Sequence, residues 1–211
     1  MFAKNILFWN VDTQKDFINP NGKLYAPGAE EIQNVLLKIT RTAKNHNIQV
    51  VNTADHHYSN SPELSATPDF ITTFPEHCMA NTPGASYVTA TQPTEDIFEV
   101  LWNKTYSNKE LENCIRHRNI IIRKDAFDVF EGNANTDPIL KKISPQKIFI
   151  YGVTTNVCVN YAAIGLAKRN IEVFVIEDAI KELPNIPLPF KEWSNLGIQR
   201  ISYSDLEKYC F

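Results

Sequence analysis

The chain has 211 residues, a formal net charge of −3 and an isoelectric point near 6.0. That length is most simply one α/β domain, residues 1–211, with a sizeable core. The weak negative charge gives no electrostatic reason to expect nucleic acid or an anionic membrane as a partner. Four cysteines (Cys78, Cys114, Cys158, Cys210) lie far apart with no C-x-x-C pair. This argues against a thiol-redox motif, a cysteine-rich zinc module or a disulfide framework, and makes a reducing compartment the default. The segment Met1–Asn5 runs directly into a strand pattern without the apolar stretch of a signal peptide. No later stretch is long enough to span a bilayer, so a cytoplasmic protein is expected.

In chain order, Ile6 to Val11 reads as a buried strand, followed by the loop Asn19-Pro20-Asn21-Gly22. An amphipathic helix over about Ala29 to Asn45 follows, with Ile32, Val35, Leu36 and Ile39 on one face. Ile48 to Asn52 is the next strand. From Thr53 to about Pro93 the chain is rich in turn residues and lacks sustained periodicity; a loop of that length is more often functional than idle. Ile97 to Trp102 and Ile120 to Arg123 read as strands, with a polar helix from Asn108 to Arg118 between them. Asp137-Pro138 is expected to open a short helix, with Asp as the cap and Pro at the first helical position.

The most informative stretch is Lys147-Ile-Phe-Ile-Tyr-Gly-Val-Thr-Thr-Asn-Val-Cys158-Val-Asn-Tyr. Ile148 to Tyr151 reads as a buried parallel strand, Gly152 to Asn156 as a tight turn, and Val157 onward as helix. Asn156 is the expected N-cap, which places Cys158 in the first helical turn, where the positive end of the helix dipole favours thiolate. A core role is equally compatible, because Cys158, Tyr161, Ala162 and Gly165 form an i, i+3, i+4, i+7 face. Ile171 to Ile176 is a further strand ending at Glu177-Asp178, then a short helix near Trp193 and a last strand over Ile198 to Ser202. Alternating strands and helices imply a three-layer α/β/α fold around a mostly parallel sheet.

Asp12, Lys124 and Cys158 each follow an apolar strand. In a parallel sheet those carboxyl ends share one edge, so an acid, a cation and a thiol can converge there. Those are the parts needed for thiolate attack on an amide or ester. Singly, each has a dull alternative: Asp12 as a loop cap and Lys124 as a solvated lysine at a strand end.

The sequence resembles the isochorismatase-like cysteine hydrolase superfamily, and within it most closely the nicotinamidases. Four segments carry the resemblance: Val11-Asp12-Thr-Gln14-Lys-Asp16-Phe17 with Asn19-Pro20-Asn21-Gly22; Lys124-Asp-Ala-Phe127-Asp-Val-Phe130; Gly152-Val-Thr-Thr-Asn-Val-Cys158-Val; and Asp178-Ala179. The resemblance implies Cys158 as nucleophile, Asp12 as proton carrier and Lys124 as the cation beside both. It also implies a cis peptide between Val153 and Thr154, with the Thr154 and Cys158 N–H groups facing the oxyanion. Lys104, in Trp102-Asn103-Lys104-Thr-Tyr106, also follows an apolar run, but the Phe127 and Phe130 spacing favours Lys124.

The same resemblance implies a divalent metal held by Asp55, His57 and His77, with Phe17 and Phe74 sandwiching the substrate ring. Phe74 stands where the family usually has tryptophan, Ser61 near a frequent extra histidine, and Asn81 where a glycine is common. Glu63 and Asp69 are candidate fourth ligands, though neither has a convincing spacing. Zinc is the first choice on ligand type, with manganese, iron and magnesium open. The implied reaction is hydrolysis of a small-molecule amide: nicotinamide to nicotinate plus ammonia, a step of NAD salvage, through a thioester. The alternatives are a metal-independent relative acting on an N-carbamoyl or ureido amide or an isochorismate-like vinyl ether, and a non-catalytic binding protein. A dinucleotide-dependent oxidoreductase is disfavoured, since no G-x-G-x-x-G follows the first strand. Homo-oligomers are common among such proteins, and no residue stripe here decides the matter. The added length at 103–118 has no functional reading.

Overall fold

A computed structural model describes residues 2–3 and 5–210; Met1 and Lys4 of the N-terminal segment, and Phe211, lie outside the described residues. Among the described residues, seven strands form one sheet in which every pairing is parallel: β1 (Ile6–Val11), β2 (Gln49–Asp55), β3 (Ile97–Val100), β4 (Asn119–Lys124), β5 (Lys147–Val153), β6 (Glu172–Lys181) and β7 (Gln199–Ile201). The spatial order is β3-β4-β2-β1-β5-β6-β7. The direction of winding reverses between β1 and β5, which opens a crevice beyond their carboxyl ends.

The central strands are apolar on both faces, as parallel strands covered on both sides must be. Phe8, Phe149 and Phe174 are register partners across β1, β5 and β6 and form an aromatic row on one face. That row is covered by Tyr209 of the last helix, Leu206–Cys210, with Phe174 and Tyr209 centroids 5.0 Å apart. Trp9, one residue on and therefore on the other face, stacks on Phe130 of the short helix Val129–Gly132. The helix Gln33–Asn45 buries Leu36, Ile39 and Ala43 at helical spacing, and a 3₁₀ turn, Ala29–Ile32, leads into it. No described helix is long and apolar enough to cross a membrane.

Several boundaries differ from the sequence reading. β2 runs on to Asp55, β4 to Lys124 and β6 to Lys181, because each extension keeps pairing with one neighbour: Asp55 with Lys124, and Lys181 with Val153. The helix expected to start at Asp137 spans Thr136–Ile143 with Asn135 at its N-cap; Asp137 instead forms a two-pronged pair with Arg169. The helix over Cys158–Ala167 is preceded by Val157, so Asn156 is not its cap. The Asn156 amide is committed elsewhere, to the Leu183 N–H and the Leu183 and Ile186 carbonyls. Tyr161 is 40% exposed, so the face proposed to run from Cys158 through Tyr161 is not a core stripe. Residues 103–118 form turns and a helix, Asn108–Cys114, opened by a capping box between Ser107 and Glu110.

Gly152 on β5 has φ +117° and lies against the Val11 backbone, so a side chain there would meet the Val11 carbonyl. Gly152→Ala is therefore expected to lower stability by roughly 2–3 kcal/mol, read as an earlier urea midpoint. A wild-type midpoint would show that the β1–β5 junction tolerates the extra methyl.

Candidate active site

Four adjacent strands, β4-β2-β1-β5, deliver Lys124, Asp55, Asp12 and the Cys158 turn to one sheet edge. Asp55 and Lys124 are register partners, as are Val11 and Gly152. Lys124 is 1% exposed, with its ammonium 3.0 Å from Asp12 Oδ2, in close contact with Asp55 Oδ1, and 3.8 Å from Cys158 Sγ. Asp12 Oδ1 accepts from the Thr53 hydroxyl at 2.6 Å, while Oδ2 has no well-aligned hydrogen bond. Lys104, the other lysine considered, is half-exposed, pairs with Glu110 at 3.0 Å and lies over the Tyr106 ring.

The electrostatics of this cluster follow from burial with one cation for two carboxylates. Burial alone would favour the neutral lysine, but Asp12 and Asp55 outweigh it and hold Lys124 charged. Asp55 is also driven to its charged form, because Lys124 and the nearby histidines overcome its desolvation. For Asp12 the burial is not fully offset by Lys124 and its carboxyl is raised, which makes it the more basic of the two. Burial likewise pushes the Cys158 thiol well up against the pull of Lys124. Burial and the neighbouring carboxylates thus oppose the thiolate that the helix N-terminus was expected to favour.

The other oxygen of Asp55 belongs to a second group. Asp55 Oδ2 lies 3.8 Å from His57 Nε2 and 3.5 Å from His77 Nε2; Glu63 Oε1 lies 3.8 and 3.7 Å from the same two nitrogens. All four residues are buried, with one donor atom from each lying within 4.8 Å of the others. Asp55 Oδ2, His57 Nε2 and Glu63 Oε2 have no hydrogen-bond partner among the described residues. Each imidazole gives its Nδ1 proton outward, His57 to Asp125 at 2.9 Å and His77 to the Pro75 carbonyl at 2.7 Å. Both Nε2 atoms thus face the carboxylates, and four buried donors, two N and two O, with Asp55 Oδ2 and His57 Nε2 lacking any hydrogen-bond partner among the described residues, fit a divalent ion. Without such an ion, burial would depress the His57 imidazolium, but Asp55, Glu63 and Asp125 outweigh burial and lift it to about 9.

Of the two carboxylates weighed as a fourth donor, Glu63 is in this ring. Asp69 is not: its oxygens accept the N–H groups of Ile71, Thr72 and Thr73 in an exposed turn. His56 turns away, 3.3 Å from the Tyr58 hydroxyl. Asp12, Asp55 and Cys158 also cluster, but the Lys124 ammonium already contacts all three of them. Phe17 and Phe74 are both buried against His77, with centroids 5.3 and 6.4 Å from its ring. Asn81 has φ +64°, a left-handed conformation asparagine tolerates, so the turn keeps its shape without the glycine.

The segment after β1 locks these parts together. The Gln14 amide clamps the Asp55 backbone, donating to its carbonyl at 2.9 Å and accepting its N–H at 2.8 Å. Asp16 Oδ2 accepts the Cys78 N–H at 2.7 Å, beside His77. At the Cys158 turn the Val153–Thr154 peptide is cis. Thr155 N–H donates to the Lys181 carbonyl, and those of Val157 and Val159 to the Thr154 carbonyl. The roles of Gln14 and Asp16, and the Asp125 and Ser61 contacts described below, escaped the sequence reading; only the placing of Gln14 and Asp16 inside a dense polar motif signalled them.

A family model described as "Isochorismatase domain" matches residues 107–187, which include Lys124 and Cys158. The nicotinamidase of Acinetobacter baylyi is 27% identical over a 222-residue alignment covering 95% of this chain and 94% of its own. The nicotinamidase/pyrazinamidase of Mycobacterium tuberculosis is 25% identical over 172 residues, 80% of this chain and 82% of its own. Among solved structures, Pyrococcus horikoshii pyrazinamidase in complex with zinc superimposes with a TM-score of 0.72 at 25% identity, covering 94% of this chain and 99% of that one. The parallel sheet, the strand-end segments gathered at its edge and these matches point the same way: the chain is similar to isochorismatase-domain proteins over residues 107–187 and to nicotinamidases over most of its length.

Proposed function

We propose that the protein hydrolyses a small carboxamide, nicotinamide first, through a thioester on Cys158. The observation that carries this is the buried contact of Lys124 with Asp12, Asp55 and Cys158 beside a ring of four buried metal-type donors. The amide-cleaving relatives support the same reading. Asp12, the more basic carboxyl, takes the Cys158 Sγ proton as sulfur bonds to the amide carbon. Charge then develops on the amide oxygen, where the Thr154 and Cys158 N–H groups, which make none of the turn bonds above, meet it. The C–N bond breaks as Asp12 returns the proton to the departing nitrogen, releasing ammonia. Water, deprotonated by Asp12, then attacks the thioester; the acid leaves and the thiol regains its proton. Lys124 stays charged throughout and orients the Asp12 carboxylate.

Asp55, His57, His77 and Glu63 would hold a divalent ion, with zinc the first choice for two nitrogen and two oxygen donors. The chemistry such an ion supplies is Lewis-acid anchoring of a pyridine-type ring nitrogen. Phe17 and Phe74 supply the apolar walls for that ring.

The deciding assay is ammonia release from nicotinamide by metal-supplemented protein. Cys158→Ala is expected to cut turnover by on the order of 10⁴-fold or more with an unchanged melting temperature; retained activity would sink the thioester. If the wild-type protein shows no turnover either, nicotinamide is excluded and N-carbamoyl, ureido and isochorismate-like substrates come next. Chelation should abolish turnover and Asp55→Ala or His57→Ala should leave the protein without bound metal by elemental analysis. Full activity in those variants would remove the metal from the mechanism. In the metal-free protein, iodoacetamide alkylation of Cys158 should keep rising with pH through about 8.5, the value of an ordinary thiol, because the buried thiol rests neutral. A plateau already reached at pH 7 would mean a resting thiolate.

A further inference from the structure

Asp125 follows Lys124 at the end of β4, so one strand end sends neighbouring charged side chains to two different groups. Its Oδ1 accepts the His57 Nδ1 proton at 2.9 Å. The same oxygen accepts the Ser61 hydroxyl at 2.5 Å, and Ser61 Oγ in turn accepts the Tyr58 N–H at 2.9 Å. A chain of three hydrogen bonds thus ties the carboxylate and the imidazole to the backbone just beyond β2. Asp125 is itself held by its own N–H, which donates to the Gly132 carbonyl.

We infer that Asp125 is the positioning residue of the His57 arm of the metal site, with Ser61 holding its carboxylate in place. The inference rests on the metal reading proposed above. An ionised carboxylate only accepts, so the proton of a neutral His57 sits on Nδ1 and the lone pair on Nε2. That nitrogen is the one left without a partner, facing Asp55 and Glu63. The two histidines are not equivalent in this respect. His77 donates to a neutral carbonyl, that of Pro75, whereas His57 donates to a charged oxygen. A carboxylate acceptor makes an imidazole a stronger ligand and fixes its ring orientation, and removing such a partner typically weakens metal binding 10–100-fold. Ser61 itself is buried. In this chain its hydroxyl contributes one step back, by locking the acid that locks His57.

The experiment is a chelator-competition titration with Zn²⁺ alone on the wild type, Asp125→Asn, Asp125→Ala and Ser61→Ala, alongside melting of each metal-stripped protein. The visible bands of the Co²⁺-loaded forms are recorded with them. Asp125→Ala should weaken Zn²⁺ binding about 10–100-fold and alter the Co²⁺ bands, with its metal-free melting close to wild type. Asp125→Asn keeps an acceptor oxygen but not the charge and should fall between the two; Ser61→Ala should weaken binding less than Asp125→Ala. Wild-type Zn²⁺ affinity and Co²⁺ bands in Asp125→Ala would overturn the inference while leaving the metal site standing. So would a lower affinity matched by an equally lower metal-free stability, with Asp125→Asn binding as wild type. A wild-type protein that binds no Zn²⁺ would remove the metal reading and this inference together.

Discussion

The arrangement at the sheet edge depends on one buried cation. Lys124 lies with its ammonium between Asp12 and Asp55, and two carboxylates that close could not both stay ionised in a dry site without it. Desolvating a lysine is itself costly, and the structure offsets that cost by supplying two negative partners rather than one. The result is asymmetric. Asp55 takes the tighter ammonium contact and the stronger drive to ionise, which leaves Asp12 as the carboxyl with proton affinity to spare. Asp55 is also the only residue common to both groups, presenting one oxygen to Lys124 and the other to the histidines. The charge balance of one group is therefore felt directly by the other.

Magnitudes explain why Cys158 does not rest as thiolate despite its place in the first turn of a helix. A helix N-terminus stabilises a nearby anion by at most about 2 kcal/mol, which is roughly 1.5 pKa units. Complete burial of an ionisable group opposes the charged form by up to about 3–5 units. Lys124 pulls the other way, but it is already shared by two carboxylates that themselves repel a thiolate. A neutral thiol beside a basic carboxyl is what such a cluster favours, and it suits a nucleophile formed only as its proton leaves.

How much of this was legible in the sequence follows from how each residue is placed. Asp12, Lys124 and Cys158 are strand-end residues, and a parallel sheet brings strand ends together whatever the loops do. Their convergence could therefore be read before any coordinates. Asp55 shares that logic, as the last residue of a strand that runs three residues beyond its apolar core. Glu63 could not be assigned in the same way. It sits in an aperiodic stretch, where the Leu64–Phe74 bridge and the bond from the Phe74 N–H to the Glu63 carbonyl hold its backbone. The Asn156 cap failed for a related reason: a loop distant in sequence, 183–186, outcompeted the local helix for its amide. Local rules predict local bonds, and they lose where a buried polar side chain has a long-range partner available.

The motif after β1 shows how the two kinds of determination are joined. Within Asp12-Thr-Gln14-Lys-Asp16-Phe17 each named residue reaches a different part of the site. Asp12 meets Lys124, Gln14 clamps the Asp55 backbone, Asp16 accepts the Cys78 N–H, and Phe17 packs on the His77 ring. The described side-chain hydrogen bonds of Gln14 and Asp16 go to backbone groups, and between them they fix the strand end that bears Asp55 and the loop that bears His77. The loop has little regular structure of its own, with Cys78 and Asn81 both in left-handed conformations. Its position is set instead by buried side-chain-to-backbone bonds from a segment rigidly attached to the central strand. This is why a dense polar motif sits where apolar residues would pack as well: each member satisfies a specific backbone group that burial would otherwise leave unpaired. A sheet edge alone would gather the acid, the lysine and the thiol, and the motif is what brings an irregular stretch of chain into register with them.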